Sequence, residues 1–68
     1  MIGVYGYTIP ASALHEYLFT DNDTGEDFFV EETSLENAWE IAKEFFADPS
    51  FITEVSYEEA EAMGLDTY

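Results

Sequence analysis

The sequence predicts an α+β fold, in which a small antiparallel β-sheet of 3-4 strands carries one main α-helix on one face, followed by a short C-terminal helix. Three observations predict it. Residues 13–19 and 27–32 alternate as strands do, residues 33–48 have the apolar spacing of a helix, and a second helix start signal lies at residue 56. With 68 residues, we expect a single domain over residues 1–68.

Alternating side chains predict the strands. In GVYGYTIP, near the N-terminus, large residues alternate with small ones until a proline interrupts them, which favours an edge strand or an extended cover. ALHEYLF (residues 13–19) and DFFVEE (residues 27–32) also alternate, so they predict a hairpin that closes near Gly25. FITEVS (residues 51–56) predicts a further strand.

TSLENAWEIAKEFFAD predicts the main helix within residues 33–48. Thr33 is expected at the N-cap, and Glu36 three residues later completes a capping box. The apolar residues of this segment share one wide stripe, which should lie on the sheet. Asp48 is expected to end the helix, because Pro49 disfavours helical geometry in the residue before it.

A second capping box, formed by Ser56 and Glu59, predicts a short helix in YEEAEAM. Gly64 is suited to end this helix, because glycine readily adopts the left-handed conformation. The final LDTY is expected either to dock on the domain or to fray.

Large apolar side chains are predicted on both faces of the hairpin, whereas the main helix covers only one. The face that carries Tyr17, Phe19 or Phe29 then needs the N-terminal segment, a second copy or a partner as cover, or it forms an exposed aromatic patch. Core packing explains any single one of these residues. A homodimer is the alternative explanation for the set.

The charge of the chain is strongly unbalanced, since 16 Asp and Glu residues stand against one basic side chain, Lys43, giving −15 at pH 7. Such a charge destabilises a compact state, and solubility needs a net charge of only about 2 to 8. Adaptation to high salt explains the scarcity of lysine but not the 18% of aromatic residues. The sign of the charge excludes direct binding to nucleic acid or to an anionic membrane.

Several classes of function are not expected from this composition. Without cysteine there is no disulfide, thiolate metal site or cysteine nucleophile, and the chain shows no signal peptide or long apolar run, so we expect a cytoplasmic protein. His15 is the single histidine, and neither a phosphate-binding loop nor a nucleophile elbow occurs. We therefore expect no enzymatic activity, no catalytic residue, no metal and no cofactor.

The segment TDNDTGED concentrates four carboxylates, those of Asp21, Asp23, Glu26 and Asp27. A calcium-binding EF-hand loop needs oxygen ligands at positions 1, 3 and 5, glycine at 6 and glutamate at 12. No register of this segment meets that requirement, and strand patterns flank it where helices are needed. A cation-binding module centred on Asp21, Asp23 and Asp27 is therefore only a third interpretation, and a tight turn explains the segment.

Glu36, Glu40 and Glu44 recur every four residues, so they form a column on one side of the main helix, about 6 Å apart. Like charges at this spacing destabilise a helix by about 0.2–0.5 kcal/mol per pair, which indicates a use beyond folding unless the column is simply a solvated face. Duplex DNA carries roughly one charge per 1.7 Å of its axis. A rigid surface of closely spaced carboxylates can occupy the same basic groove as DNA.

The chain is small, acidic and free of cysteine, its hairpin is followed by ETSLENAWEIAKEFF and a strand, and it ends in SYEEAEAMGLDTY. In these features it resembles one class of proteins. These are the small acidic proteins that bacteriophages encode against host defences, including anti-CRISPR proteins and other DNA mimics. The resemblance implies a non-enzymatic inhibitor in the host bacterial cytoplasm. Its partner would be a basic host protein, such as a nucleic-acid-binding CRISPR effector subunit or a nuclease, whose access to DNA it blocks.

The expected contact residues are acidic side chains with two aromatic anchors, since aromatic residues often dominate interface energetics. They are Asp21, Asp23, Glu26, Asp27, Glu31, Glu32, Glu36, Glu40, Glu44, Tyr17 and Phe29. The alternative function is a small acidic adaptor or assembly module, which binds a protein partner or itself through an aromatic sheet face and does not mimic DNA.

Overall fold

The computed structural model describes residues 13–68, which form a three-stranded antiparallel sheet and two helices. The α+β fold class is therefore confirmed, whereas the strand predicted in GVYGYTIP lies outside the described residues. The elements in chain order are β1 (His15–Asp21), β2 (Asp27–Glu32), α1 (Leu35–Phe45), β3 (Pro49–Val55) and α2 (Tyr57–Met63).

The central strand of the sheet is β1, which pairs antiparallel with β2 on one side and with β3 on the other. The predicted hairpin of β1 and β2 is confirmed, with His15 opposite Glu32. Its turn places Gly25 at φ +77°, and the Gly25 N–H donates to the Asp21 carbonyl over 2.7 Å. Glycine suits this position because it adopts positive φ without a Cβ penalty.

The first face of the sheet packs against α1. Two small residues of the helix, Ala38 and Ala42, are fully or almost fully buried and let its backbone approach the sheet. The Phe28 ring stacks on Phe46, with centroids 3.9 Å apart, and on Phe19 at 5.6 Å. The buried residues of this core are Tyr17, Phe19, Phe28, Val30, Ala38 and Ala42.

The second face of the sheet packs against α2 and the C-terminal tail. Leu18 and Phe29 form a smaller core there with Ala60, and Leu65 packs against it. Leu18 and Phe29 are thus covered from within the chain. Residues 66–68 also run parallel to β2: the Phe29 N–H donates to the Asp66 carbonyl (2.8 Å), and the Tyr68 N–H donates to the Phe29 carbonyl (2.8 Å). The final segment therefore docks along the outer edge of β2.

The start and end of α1 differ from the prediction. Ser34, not Thr33, is the N-cap, and its hydroxyl accepts from the Asn37 N–H over 3.2 Å. The helix ends at Phe45, earlier than the expected stop before Pro49. Phe46 is already extended (φ −132°, ψ 146°), and its ring stacks on Phe28, so core packing ends the helix ahead of the proline.

The predicted limits of α2 are confirmed. Ser56 and Glu59 form the reciprocal capping box, in which each side chain accepts from the other's backbone N–H. Gly64 ends the helix with φ +67° in the left-handed region.

Replacing the central ring of the first core tests its contribution to stability. We expect Phe28→Leu to lower the free energy of unfolding by about 1–2 kcal/mol, because Phe28 is fully buried between two other rings. The matched control is Phe45→Leu, at a side chain that is 59% exposed, where we expect a change within about 0.5 kcal/mol. Urea unfolding measures both, and equal losses would contradict the packing described here.

Candidate functional site

The outer face of α1 carries the predicted column of carboxylates. Glu36, Glu40 and Glu44 are all exposed, and they lie on a helix that starts beyond the end of β2 and runs back towards the hairpin turn. The column therefore leads from the open end of the hairpin to its turn.

Hydrogen bonds join the end of this column to the turn. The Asn22 N–H and the Asn22 side-chain amide both donate to the Asp48 carbonyl, over 2.9 and 3.1 Å. Asp48 is exposed and lies four residues after Glu44. It was not among the predicted contact residues, although the four-residue spacing continued to it.

We call the seven exposed carboxylates of this surface the acidic band. It starts on α1, passes the segment before β3, continues around the turn that joins β1 to β2 and ends at the first residue of β2. Its members are Glu36, Glu40, Glu44, Asp48, Asp23, Glu26 and Asp27.

None of the seven band carboxylates accepts a hydrogen bond or forms an ion pair within residues 13–68. The carboxylates that accept hydrogen bonds in that part of the chain belong to other acids, such as Glu59 at its capping box. The single contact found there between a basic side chain and a carboxylate is the hydrogen bond that joins His15 Nδ1 and Glu54 Oε2 over 2.7 Å. The band carboxylates therefore make no side-chain contact that serves the fold, and only Glu36, in the first turn of α1, is favoured there by the helix dipole.

Asp21 belongs to the structure of the turn. Its side chain is 2% exposed, and its carboxylate accepts from the Thr24 hydroxyl (3.1 Å) and from the N–H groups of Asp23 (3.3 Å) and Asp48 (3.1 Å). These hydrogen bonds connect the turn to the start of β3. Because Asp21 is enclosed, we remove it from the expected contact residues.

The two expected aromatic anchors also lie in the interior. Tyr17 is 6% exposed in the first core, and Phe29 is fully buried in the second. Burial, together with the charges of Glu54 and Glu32, raises the pKa of the Tyr17 hydroxyl. Both rings are enclosed, so neither is available as an exposed anchor for an adaptor's partner or a second copy.

Glu31 and Glu32 are half-buried and lie at the end of β2, away from the acidic band. Glu32 accepts from the Thr33 N–H over 3.0 Å and so stabilises the connection to α1. Glu31 lies directly opposite Glu16 in the strand pairing. Both therefore have local partners, unlike the acids of the band.

Glu16 is a feature that sequence reasoning missed. It is 5% exposed and lines a small cavity under α2 together with Glu31, Tyr57 and Glu61. Burial, a hydrogen bond to Glu31 and repulsion by that residue raise the pKa of Glu16 to about 7. The available signal was its position between Leu14 and Leu18 on the alternating face of the strand.

Residues 13–68 lack the features of a metal site or a membrane span. No three His, Asp or Glu side chains there come together in a way that could hold a metal ion. Neither helix in that part of the chain has the length and apolar character needed to cross a membrane.

No protein-family model, no curated protein and no solved structure matches this chain.

The buried Glu16 predicts a specific dependence of stability on pH. Its pKa is about 7 in the fold, against 4.5 for an unperturbed glutamate, so between these values the unfolded chain releases a proton that the folded chain retains. Stability should therefore fall as pH rises from about 4.5 to 7, by about 3 kcal/mol at most. Glu16→Gln should remove this local contribution.

The control for this experiment is Glu40→Gln, which removes the same charge at an exposed site on the opposite side of the sheet. Urea unfolding from pH 5 to pH 8 compares both variants with the parent chain. A general decrease of charge repulsion would flatten both profiles alike. The role assigned to Glu16 requires that the stability of the Glu16 variant, and not that of the Glu40 variant, becomes markedly less dependent on pH.

Proposed function

We propose that this protein is a non-enzymatic inhibitor, which binds the basic nucleic-acid-binding surface of a host defence protein and blocks access of DNA. The observation that carries this proposal is that the seven carboxylates of the acidic band are exposed and have no partner within residues 13–68. Repelling charges that have no partner in the fold are explained by a partner protein that neutralises them.

The geometry of α1 supports mimicry of a polyanion. The carboxylates of Glu36, Glu40 and Glu44 follow one side of a rigid helix at intervals of about 6 Å. Lysine and arginine that bind phosphate oxygens also form strong charge-assisted hydrogen bonds with carboxylates. A groove built for a DNA backbone therefore offers suitable donors to this helix.

The charge of the whole chain supports rapid association with such a groove. At −15, the protein would be drawn towards a strongly basic surface, and electrostatic steering can raise association rates to about 10⁸–10⁹ M⁻¹s⁻¹ at low salt. Inhibition then follows from occupancy, because DNA and the acidic band compete for the same lysine and arginine side chains. This mechanism needs no chemical step.

The partner class follows from the same argument. It must be a basic protein whose function depends on DNA, and the resemblance to phage proteins directed against host defences favours a CRISPR effector subunit or a nuclease in the bacterial cytoplasm. The burial of Tyr17 and Phe29, the two anchors expected on the sheet, gives no comparable support to the adaptor alternative.

Charge reversal within the band tests this function. We expect Glu40→Lys with Glu44→Lys to reduce displacement of duplex DNA from the partner by at least about tenfold, because two attractive contacts become repulsive. The matched control is Glu58→Lys with Asp66→Lys, which changes the net charge equally at exposed residues outside the band. The control should retain most of the inhibition.

The partner is first captured from bacterial lysate on the tagged protein, with and without excess duplex DNA. Fluorescence anisotropy of labelled DNA on the purified partner then compares the two double variants. Equal effects of both pairs would mean that net charge alone matters. A captured partner that DNA does not displace would contradict mimicry.

A further inference from the structure

A shallow groove opens on the surface of α1 beside the acidic band. Trp39 forms its apolar part, and Leu35, Glu36, Glu40 and Lys43 complete its lining. These positions share one side of the helix at spacings of one to four residues, so an indole ring and two carboxylates face the same space.

Trp39 is a fixed wall of this groove because it is anchored in the core. Its ring meets the Phe19 ring edge to face, with centroids 5.1 Å apart and planes at 89°. The residue is only partly buried, so part of the indole remains open to the groove. An immobilised aromatic ring with an open surface can bind a ligand at low entropic cost.

The groove already holds a cation from the same chain. The Lys43 ammonium lies over the Trp39 ring, 5.8 Å from its centroid. Although the chain carries 16 acidic residues, Lys43 forms no ion pair within 4.0 Å inside residues 13–68. The indole face of Trp39 therefore binds a positive charge in this fold.

We propose that this groove is a docking site for an arginine side chain of a basic protein partner, whose guanidinium stacks on Trp39 beside Glu36 and Glu40 in place of Lys43. The inference rests on the proposed function for the nature of the partner, and it assigns the site on the acidic band that selects arginine.

Arginine fits this groove better than lysine for two physical reasons. Its planar guanidinium can stack on an indole face, and its fork of N–H donors can bind a carboxylate through two hydrogen bonds at once. Lysine offers a compact, strongly hydrated ammonium instead. The Lys43 ammonium can return to water when arginine enters, because no ion pair within residues 13–68 holds it.

The test uses two blocked peptides of equal charge, hexa-arginine and hexa-lysine. Calorimetry gives their dissociation constants, and fluorescence reports the groove directly because Trp39 is the single tryptophan of the chain. We expect hexa-arginine to bind about three- to tenfold more tightly than hexa-lysine and to change the Trp39 emission. Equal affinities for the two peptides would overturn the proposal.

Two variants locate the preference. Trp39→Leu should remove the preference for arginine while both peptides still bind through charge, and a preference that persists there would overturn the proposal. Because Trp39 also packs on Phe19, a second variant avoids the core: Lys43→Met should increase the affinity for hexa-arginine more than the affinity for hexa-lysine, since the lost charge favours both peptides alike and the freed indole favours arginine. An equal increase for both peptides, or none, would overturn the proposal. Glu58→Gln, on α2, is the control and should leave the preference unaltered.

The arginine site and the proposed function can fail independently of each other, and the experiments distinguish the two failures. Arginine preference that depends on Trp39, without displacement of DNA from any captured partner, would support the groove and overturn DNA mimicry. Displacement of DNA by a protein that binds both peptides equally would support mimicry and overturn the arginine site.

Discussion

Stacked aromatic rings between the sheet and α1 hold this fold together against its own charge. Phe28 lies between Phe19 and Phe46, and Trp39 and Tyr68 meet the stack edge on. Apolar burial must provide the stability, because a charge of −15 opposes compaction and the single contact between a basic side chain and a carboxylate within residues 13–68, that of His15 with Glu54, is exposed. The aromatic residues of this acidic chain thus supply much of the apolar burial that opposes its charge repulsion.

The carboxylates around this core have different structural roles. Asp21 and Glu59 accept hydrogen bonds that fix a turn and a helix start. Glu16 is buried beside Glu31, and burial together with that neighbour raises its pKa to about 7. The acidic band has no such partners among the described residues, and its α1 members are held in place by a helix whose opposite side is anchored in the core. Trp39 connects the aromatic core with the acidic surface of α1, since its ring packs on Phe19 and also lines the surface groove.

Much of the described fold could be predicted because its signals are local. The alternation of DFFVEE, the left-handed Gly25 and the capping box of Ser56 each depend on residues close together in the chain. The exposed acids of α1 were predictable for the same reason, because a four-residue spacing fixes one side of a helix. Local signals failed at the end of α1, where Phe46 leaves the helix to stack on Phe28.

The sequence by itself determined the charge, the fold class and the column of carboxylates on α1. Only the tertiary structure decided which acids are surface and which are interior, because burial depends on what a distant segment covers. The docking of α2 and the tail on the second sheet face encloses Phe29 and Glu16, and the approach of Asp48 to the turn encloses Asp21. These contacts join residues far apart in the chain, so no local pattern could separate Asp21 from the exposed Asp23 beside it.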